Sequence, residues 1–269
     1  MAHYYQIKDG VAQRFAPLKK DGTPYQRITK KMAFEAGAVQ GTTDTLKVLG
    51  DTGGLLVWKG NLGIKAGQEF PSDLQKAKGR LEELSTEAAQ RGTDIHDYID
   101  QYLTKGLMPD DAQGLTACLE VKRWLDEQAV TDFRCEHCFV WRGWINITNG
   151  NYAERMQQSS LCEAEHLGYI KVETGGTSDF VSDGLICDWK TVEDKGYGFR
   201  GSYAKEAAQM AMYRLGFGKH KARCVNLYVD RTTGKIVRVK EWTEAELMDG
   251  LRLFAMASLY TDIAERLEA

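Results

Sequence analysis

The chain has 269 residues, 43% hydrophobic and 27% charged, with 27 Gly, 4 Pro and a formal net charge of −3. That composition supports a sizeable core and excludes a largely disordered chain, and no low-complexity run or solenoid-length repeat is present. No window approaches the roughly 20 apolar residues of a membrane span, and MAHYYQIKDG lacks the pattern of a secretory leader, so a cytoplasmic protein with reduced thiols is expected.

The predicted order is helical first, sheet-rich in the middle and helical at the end. Residues 1–71 are expected to form an N-terminal helical extension that includes a Thr-rich segment. From Ser72 to about Ala89, Leu74, Ala77, Leu81 and Leu84 recur at helical spacing, and Gly92 punctuates the chain. In RGTDIHDYIDQYLTKG, Ile95, Tyr98, Ile99 and Leu103 form one apolar stripe of a helix that stops near Gly106, and a further helix covers Leu115 to Gln128. Strands follow. FRCEHCFVW alternates, and GGTSDFV and LICDWKT flank Ser182-Asp183-Gly184, a strong hairpin signal. YAKEAAQMAMYRLGFG reads as a helix, RCVNLYVDRTTGKIVRVKEW as a hairpin, and Thr243 with Glu246 as the capping box of a last helix in 243–269.

The stretch GLICDWKTVED carries the chemistry. Side chains alternate along a strand, so Ile186, Asp188 and Lys190 share one face while Leu185, Cys187 and Trp189 share the other. The hairpin turn brings Asp179 towards Asp188. Two neighbouring carboxylates repel and lose hydration, and a divalent cation is the usual relief. A nearby Lys balances charge, and it can orient a water or stabilise a charged transition state at a phosphate. A buried salt bridge is the plainer reading of the same three residues. His96 lies at the rim of the apolar stripe, and Gln209 and Tyr213 are one helical turn apart.

In chain order these pieces resemble the RecB-like branch of the PD-(D/E)XK nuclease superfamily. RGTDIHDYID is similar to its Gly-Thr-x-x-His helix, GGTSDFV to its Gly-x-Asp strand, CDWKT to its Asp-x-Lys-Thr strand and QMAMY to its Gln-x-x-x-Tyr helix. Upstream, TTDTLKVLGDTGGLLVWKGNLG is similar to the Thr-rich and Leu-x-x-Trp segment of phage-type and mitochondrial genome maintenance exonucleases. The resemblance spans roughly Thr42 to Trp242. It implies an α/β fold with a PD-(D/E)XK core over 72–242, a mixed central sheet flanked by helices in α-β-β-β-α-β order. It further implies a metal-dependent DNA exonuclease of phage or recombination and repair type. Asp179 and Asp188, aided by His96 and the backbone carbonyl of Trp189, would hold Mg²⁺ or Mn²⁺. Lys190 would position or activate the attacking water and offset negative charge, and Gln209 and Tyr213 would support the site or touch DNA. Glu136 is the preferred match to a Glu on the preceding strand, in competition with Glu163 and Glu165.

Between Trp141 and Glu173 the chain departs from the family with an inserted aromatic and basic stretch, including Trp141, Trp144, Tyr152, Tyr169, Arg142, Arg155 and Lys171, suited either to stacking on unpaired bases or to an ordinary extra hairpin. Arg14, Lys19, Lys20, Arg27, Lys30 and Lys31 form a basic run that could contact phosphates or be a solvated face. Cys135 and Cys138 have ligand spacing, with Cys162 and Cys187 further on, yet no iron-sulfur cluster is expected, because the family places its cluster cysteines after the core. The expected partner is DNA with free ends; a recombination partner protein and self-association stay open. A Cas4-like or structure-specific endonuclease and a non-catalytic DNA-end-binding protein are the alternatives.

Overall fold

A strand as apolar as LICDWKTV must be covered on both faces, and the chain supplies helices for each. The computed structural model describes residues 2–50, 62–153, 168–193 and 204–268. Leu55 and Trp58, Arg155, Cys162, Glu163 and Glu165 lie outside them.

Strands β4 (Phe133–Asn146), β5 (Tyr152–Ala153), β6 (Tyr169–Ser182), β7 (Leu185–Val192), β8 (Arg223–Asp230) and β9 (Ile236–Trp242) form a six-stranded sheet in the order β5-β4-β6-β7-β8-β9. Only β7 and β8 run parallel, and a parallel pair needs a crossover. Helix α5 (Ala204–Gly216) lies in that crossover. Ile186, Val181 and Cys224 pack on α5 and on α6 (Glu244–Glu268), while Leu185, Cys187, Trp189, Val225 and Leu227 pack on α3 (Leu74–Lys105) and α4 (Ala112–Glu127). The result is a mixed α/β fold whose sheet lies between two helical layers. The expected alternation of β7 is borne out by this division. At the start of α6, the Thr243 hydroxyl accepts from Glu246 N at 3.3 Å and Glu246 Oε2 accepts from Thr243 N at 2.8 Å, the predicted capping box.

Three expectations change or sharpen. The N-terminal region is not chiefly helical: β1 (Tyr4–Lys8), β2 (Val11–Arg14) and β3 (Val39–Gln40) form a second sheet in the order β2-β1-β3, with short helix α1 (Lys30–Glu35) between β2 and β3 and α2 (Thr42–Thr45) after β3. The β1–β2 turn is Asp9-Gly10 with φ of 51° and 78°, a primed turn whose twist suits a hairpin. Thr42 in α2 donates to the Gly175 carbonyl at 2.9 Å, which ties the Thr-rich segment to β6.

Secondly, residues 141–146 and 169–173 continue β4 and β6 in an unbroken antiparallel register, so the described part of the inserted stretch is the extra hairpin, one of its two expected readings. Its polar and aromatic side chains are partly used within the chain. Trp141 is buried in the core, Arg142 donates to the Gly37 carbonyl at 2.8 Å, and Lys171 pairs with Glu173 at 2.7 Å.

Thirdly, α3 runs through Gly92 as one helix, from the Asp73 N-cap to Gly106, whose φ of 70° ends it. Gly92 marks close packing: a Cβ there would lie 2.7 Å from Thr191 Oγ1 on β7. Gly92→Ala should therefore destabilise the protein by about 1–2 kcal/mol despite the better helix propensity of Ala, because a β-branched Thr cannot easily rotate away. Urea unfolding of the single and double variants checks this. Adding Thr191→Ala should restore most of the loss, and a stabilising single substitution would contradict the packing argument.

Candidate active site

Asp188 and Lys190 alternate inward on β7 towards α5, where the Gln209 side chain meets both. Lys190 Nζ lies 2.5 Å from Asp188 Oδ2 and donates to Gln209 Oε1 at 2.9 Å. An ammonium only donates, so it fixes the orientation of the Gln209 amide. Gln209 Nε2 then points at Asp188 Oδ1, 3.3 Å away, and at the Tyr213 hydroxyl, 2.6 Å away. On the other side the parallel register sets Asn226 of β8 beside Asp188, and Asn226 Nδ2 donates to Asp188 Oδ2 at 3.0 Å.

Asp179 closes the cluster from β6. The β6–β7 register pairs Phe180 with Cys187, which brings Asp179 level with Asp188, and Trp189 N donates to Asp179 Oδ2 at 2.5 Å. His96 of α3 contributes the partner of the other oxygen, with Nδ1 3.3 Å from Asp179 Oδ1. Thus Asp188 is held from α5 and β8, and Asp179 from α3. Trp189 takes part through its backbone N–H, while its ring is buried against Phe180.

Glu136 stands on β4 opposite Asp179, with a φ of 47° that is unfavourable for a side-chain-bearing residue. The strand changes phase there: Phe133 and Cys135 pack with one core layer, yet Phe139 packs with the other at the same even spacing. The distortion turns the Glu136 carboxyl back to Asp179. Ser178, buried, directs its hydroxyl to the carbonyls of Phe180 and Cys187, 3.0 and 3.1 Å away, which links β6 to β7 at the same level.

The charges do not balance. Burial, reinforced by Asp179, pushes Asp188 up to about 6 even with Lys190 opposing the shift. The Glu136 residue is exposed, but its carboxyl end is partly desolvated and faces Asp179, which together push it up to about 7; Arg14 of β2 opposes this weakly. Burial would raise Asp179, but the His96 charge and hydrogen bond and the Trp189 N–H hold it low. Burial would lower His96, and Asp179 overcomes it and raises His96. Lys190 is likewise raised by Asp188 and Glu206 against burial. Three carboxylates thus face one ammonium and one imidazole, with Arg14 and Glu206 acting from further out, an arrangement that favours added positive charge.

Among the described residues, no group of three or more His, Cys, Asp or Glu side chains is spaced to hold a metal ion, and Lys190, Gln209, Asn226 and Trp189 N–H occupy carboxylate oxygens. The donor types, carboxylates with one imidazole, nevertheless fit a divalent cation of the Mg²⁺ or Mn²⁺ kind. Of the candidate cysteines, Cys135 packs against core residues and Cys187 is fully buried. A cavity of about 450 Å³ lined by Lys30, Phe34, Arg142 and Glu173 opens elsewhere, and several of its charges already pair with one another.

Sequence reasoning missed Asn226 and Trp242, whose indole Nε1 donates to Asn226 Oδ1 at 2.6 Å. The available signal was a lone Asn in the otherwise apolar run CVNLYV.

The fold and site define a mixed α/β protein with a buried, carboxylate-rich cluster at the centre of its sheet. No known protein family matches the chain. No curated protein matches it either. Among solved structures, a candidate exonuclease from Eubacterium rectale is 12% identical with a TM-score of 0.38, covering 90% of this chain and 86% of that one. SSO0001 is 14% identical with a TM-score of 0.28, covering 76% of this chain and 86% of that one. Among the described residues no helix is long and apolar enough to cross a membrane.

The raised Glu136 gives a pH-dependent expectation. A carboxyl whose folded value, about 7, exceeds its ordinary 4.5 binds its proton more tightly in the folded state, so stability falls as pH rises between those values. Glu136→Gln should therefore raise the metal-free melting temperature at pH 8, by about 2 °C, and change it little at pH 4.5. Equal effects at both pH values would show that neither burial nor Asp179 raises Glu136 in the folded protein.

Proposed function

We propose that the chain is a metal-dependent DNA exonuclease of the RecB-like PD-(D/E)XK type, hydrolysing phosphodiester bonds from DNA ends. The observation that carries this reading is the convergence of Asp179, Asp188 and Lys190 with His96 and Gln209 in one cluster, with Glu136 as a third carboxylate beside Asp179.

In this reading Asp179 and Asp188 hold Mg²⁺ or Mn²⁺, with His96 and the Trp189 carbonyl contributing. When bound, the cation polarises the phosphate and makes a bound water more acidic. Lys190, kept protonated by Asp188 and Glu206, orients the attacking water and offsets the negative charge that grows on phosphorus-bound oxygen. Water adds to phosphorus and releases a proton to solvent, the bridging phosphorus–oxygen bond breaks, and the leaving oxygen takes up a proton from solvent. Gln209 keeps Lys190 directed to Asp188, and Tyr213 supports Gln209 from one helical turn away. Glu136 adds a third carboxylate beside Asp179.

The test is degradation of end-labelled linear single-stranded and duplex DNA beside a closed circle, with Mg²⁺, Mn²⁺ or chelator. Linear DNA should be lost and the circle spared, and Lys190→Ala should reduce the rate by about 10²–10³-fold, as expected for removal of a transition-state charge partner. Cleavage of the circle would favour an endonuclease. Absence of metal-dependent cleavage on every substrate would leave a DNA-end-binding protein.

A further inference from the structure

Asn226 is fully buried on β8, between Val225 and Leu227, where an apolar side chain would cost less. Its amide is nevertheless satisfied on both sides. Trp242 Nε1–H donates to Oδ1 at 2.6 Å, and Nδ2 donates to the Asp188 carboxylate at 3.0 Å and lies 3.3 Å from the Asp188 carbonyl. The direction of this chain follows from chemistry: an indole N–H has no acceptor and an ionised carboxylate has no donor, so the amide between them has one orientation. The parallel register, Asp188 opposite Asn226, sets the spacing from the backbone, and Trp242 ends β9, the strand beyond.

We propose that Asn226, locked by the Trp242 indole, is a positioning residue that fixes how the Asp188 carboxylate presents its oxygens to a divalent cation. This inference rests on the reading of the site as a divalent-metal nuclease. Lys190 and Asn226 share Asp188 Oδ2, while Gln209 approaches Oδ1. Lys190 has a flexible stem and Gln209 turns with it, whereas Asn226 has a short side chain on a central strand. Asn226 is therefore the fixed anchor of the three. A hydrogen-bond partner behind a metal-binding group typically contributes 10–100-fold to metal affinity.

The experiment is calorimetric titration of the full-length protein with Mn²⁺, comparing wild type, Trp242→Phe and Asn226→Leu, with thermal unfolding recorded for each. Trp242→Phe keeps an aromatic ring in the site and deletes the N–H, so it remains informative where Asn226→Leu does not fold. The Mn²⁺ dissociation constant should rise about 10-fold in Trp242→Phe and 10–100-fold in Asn226→Leu. DNA cleavage by Trp242→Phe should recover at saturating Mg²⁺ with an unchanged KM for DNA, which a loosened core would not produce. A folded Trp242→Phe with wild-type Mn²⁺ affinity would overturn the inference while leaving the nuclease reading intact. A wild type that binds no Mn²⁺ would overturn both.

Discussion

Burying Asp188 beside Asp179 is the constraint on which the rest of the site depends. A buried carboxylate lacking partners costs several kcal/mol, and a second one level with it on the adjacent strand adds repulsion. The fold answers with donors from four elements: His96 from α3, the Trp189 N–H within β7, Gln209 from α5 and Asn226 from β8. Lys190 supplies the only ammonium within hydrogen-bonding distance of Asp188 among the described contacts. Moving any of these elements would expose a charge without its counterpart, so the site holds the two helical layers in register with the sheet. Even so, Asp188 and Glu136 stay raised, and the site retains an affinity for added positive charge.

Glu136 shows how that surplus is built. Its positive φ is unfavourable, and it sits where β4 changes phase between the two core layers. Apolar packing on either side explains why the distortion persists: Phe133 and Cys135 anchor one end, Phe139 and Trp141 the other. The strain brings a third carboxylate to Asp179, which stability alone would disfavour. Backbone strain offset by surrounding packing is characteristic of functional positions.

What the sequence made legible was governed by local rules. Alternation assigned Ile186, Asp188 and Lys190 to one face, and the capping box and Gly106 marked helix ends, because each depends on residues within one or two turns. Asp9-Gly10 carried a hairpin signal of equal strength, yet the helix-first reading passed over it. Gly92 misled for a different reason. Glycine serves both as a breaker and as a point of close approach, and only the position of Thr191, about 100 residues away in the chain, distinguishes the two. The Trp242–Asn226 contact has no local signature either, since it crosses from one strand to its neighbour.

Both amides that flank Asp188 follow one principle. Gln209 is oriented by an ammonium and Asn226 by an indole N–H, groups that donate and cannot accept. Each amide therefore presents its NH₂ to the carboxylate, and neither can flip without setting two donors against each other or a carbonyl against a negative charge. Such chains polarise cooperatively in a low-dielectric interior. The two differ in what anchors them. Gln209 depends on Lys190, whose stem is flexible, whereas Asn226 depends on Trp242, which is held in the core. Asp188 thus combines a contact from a flexible cation with one from an amide fixed by core packing.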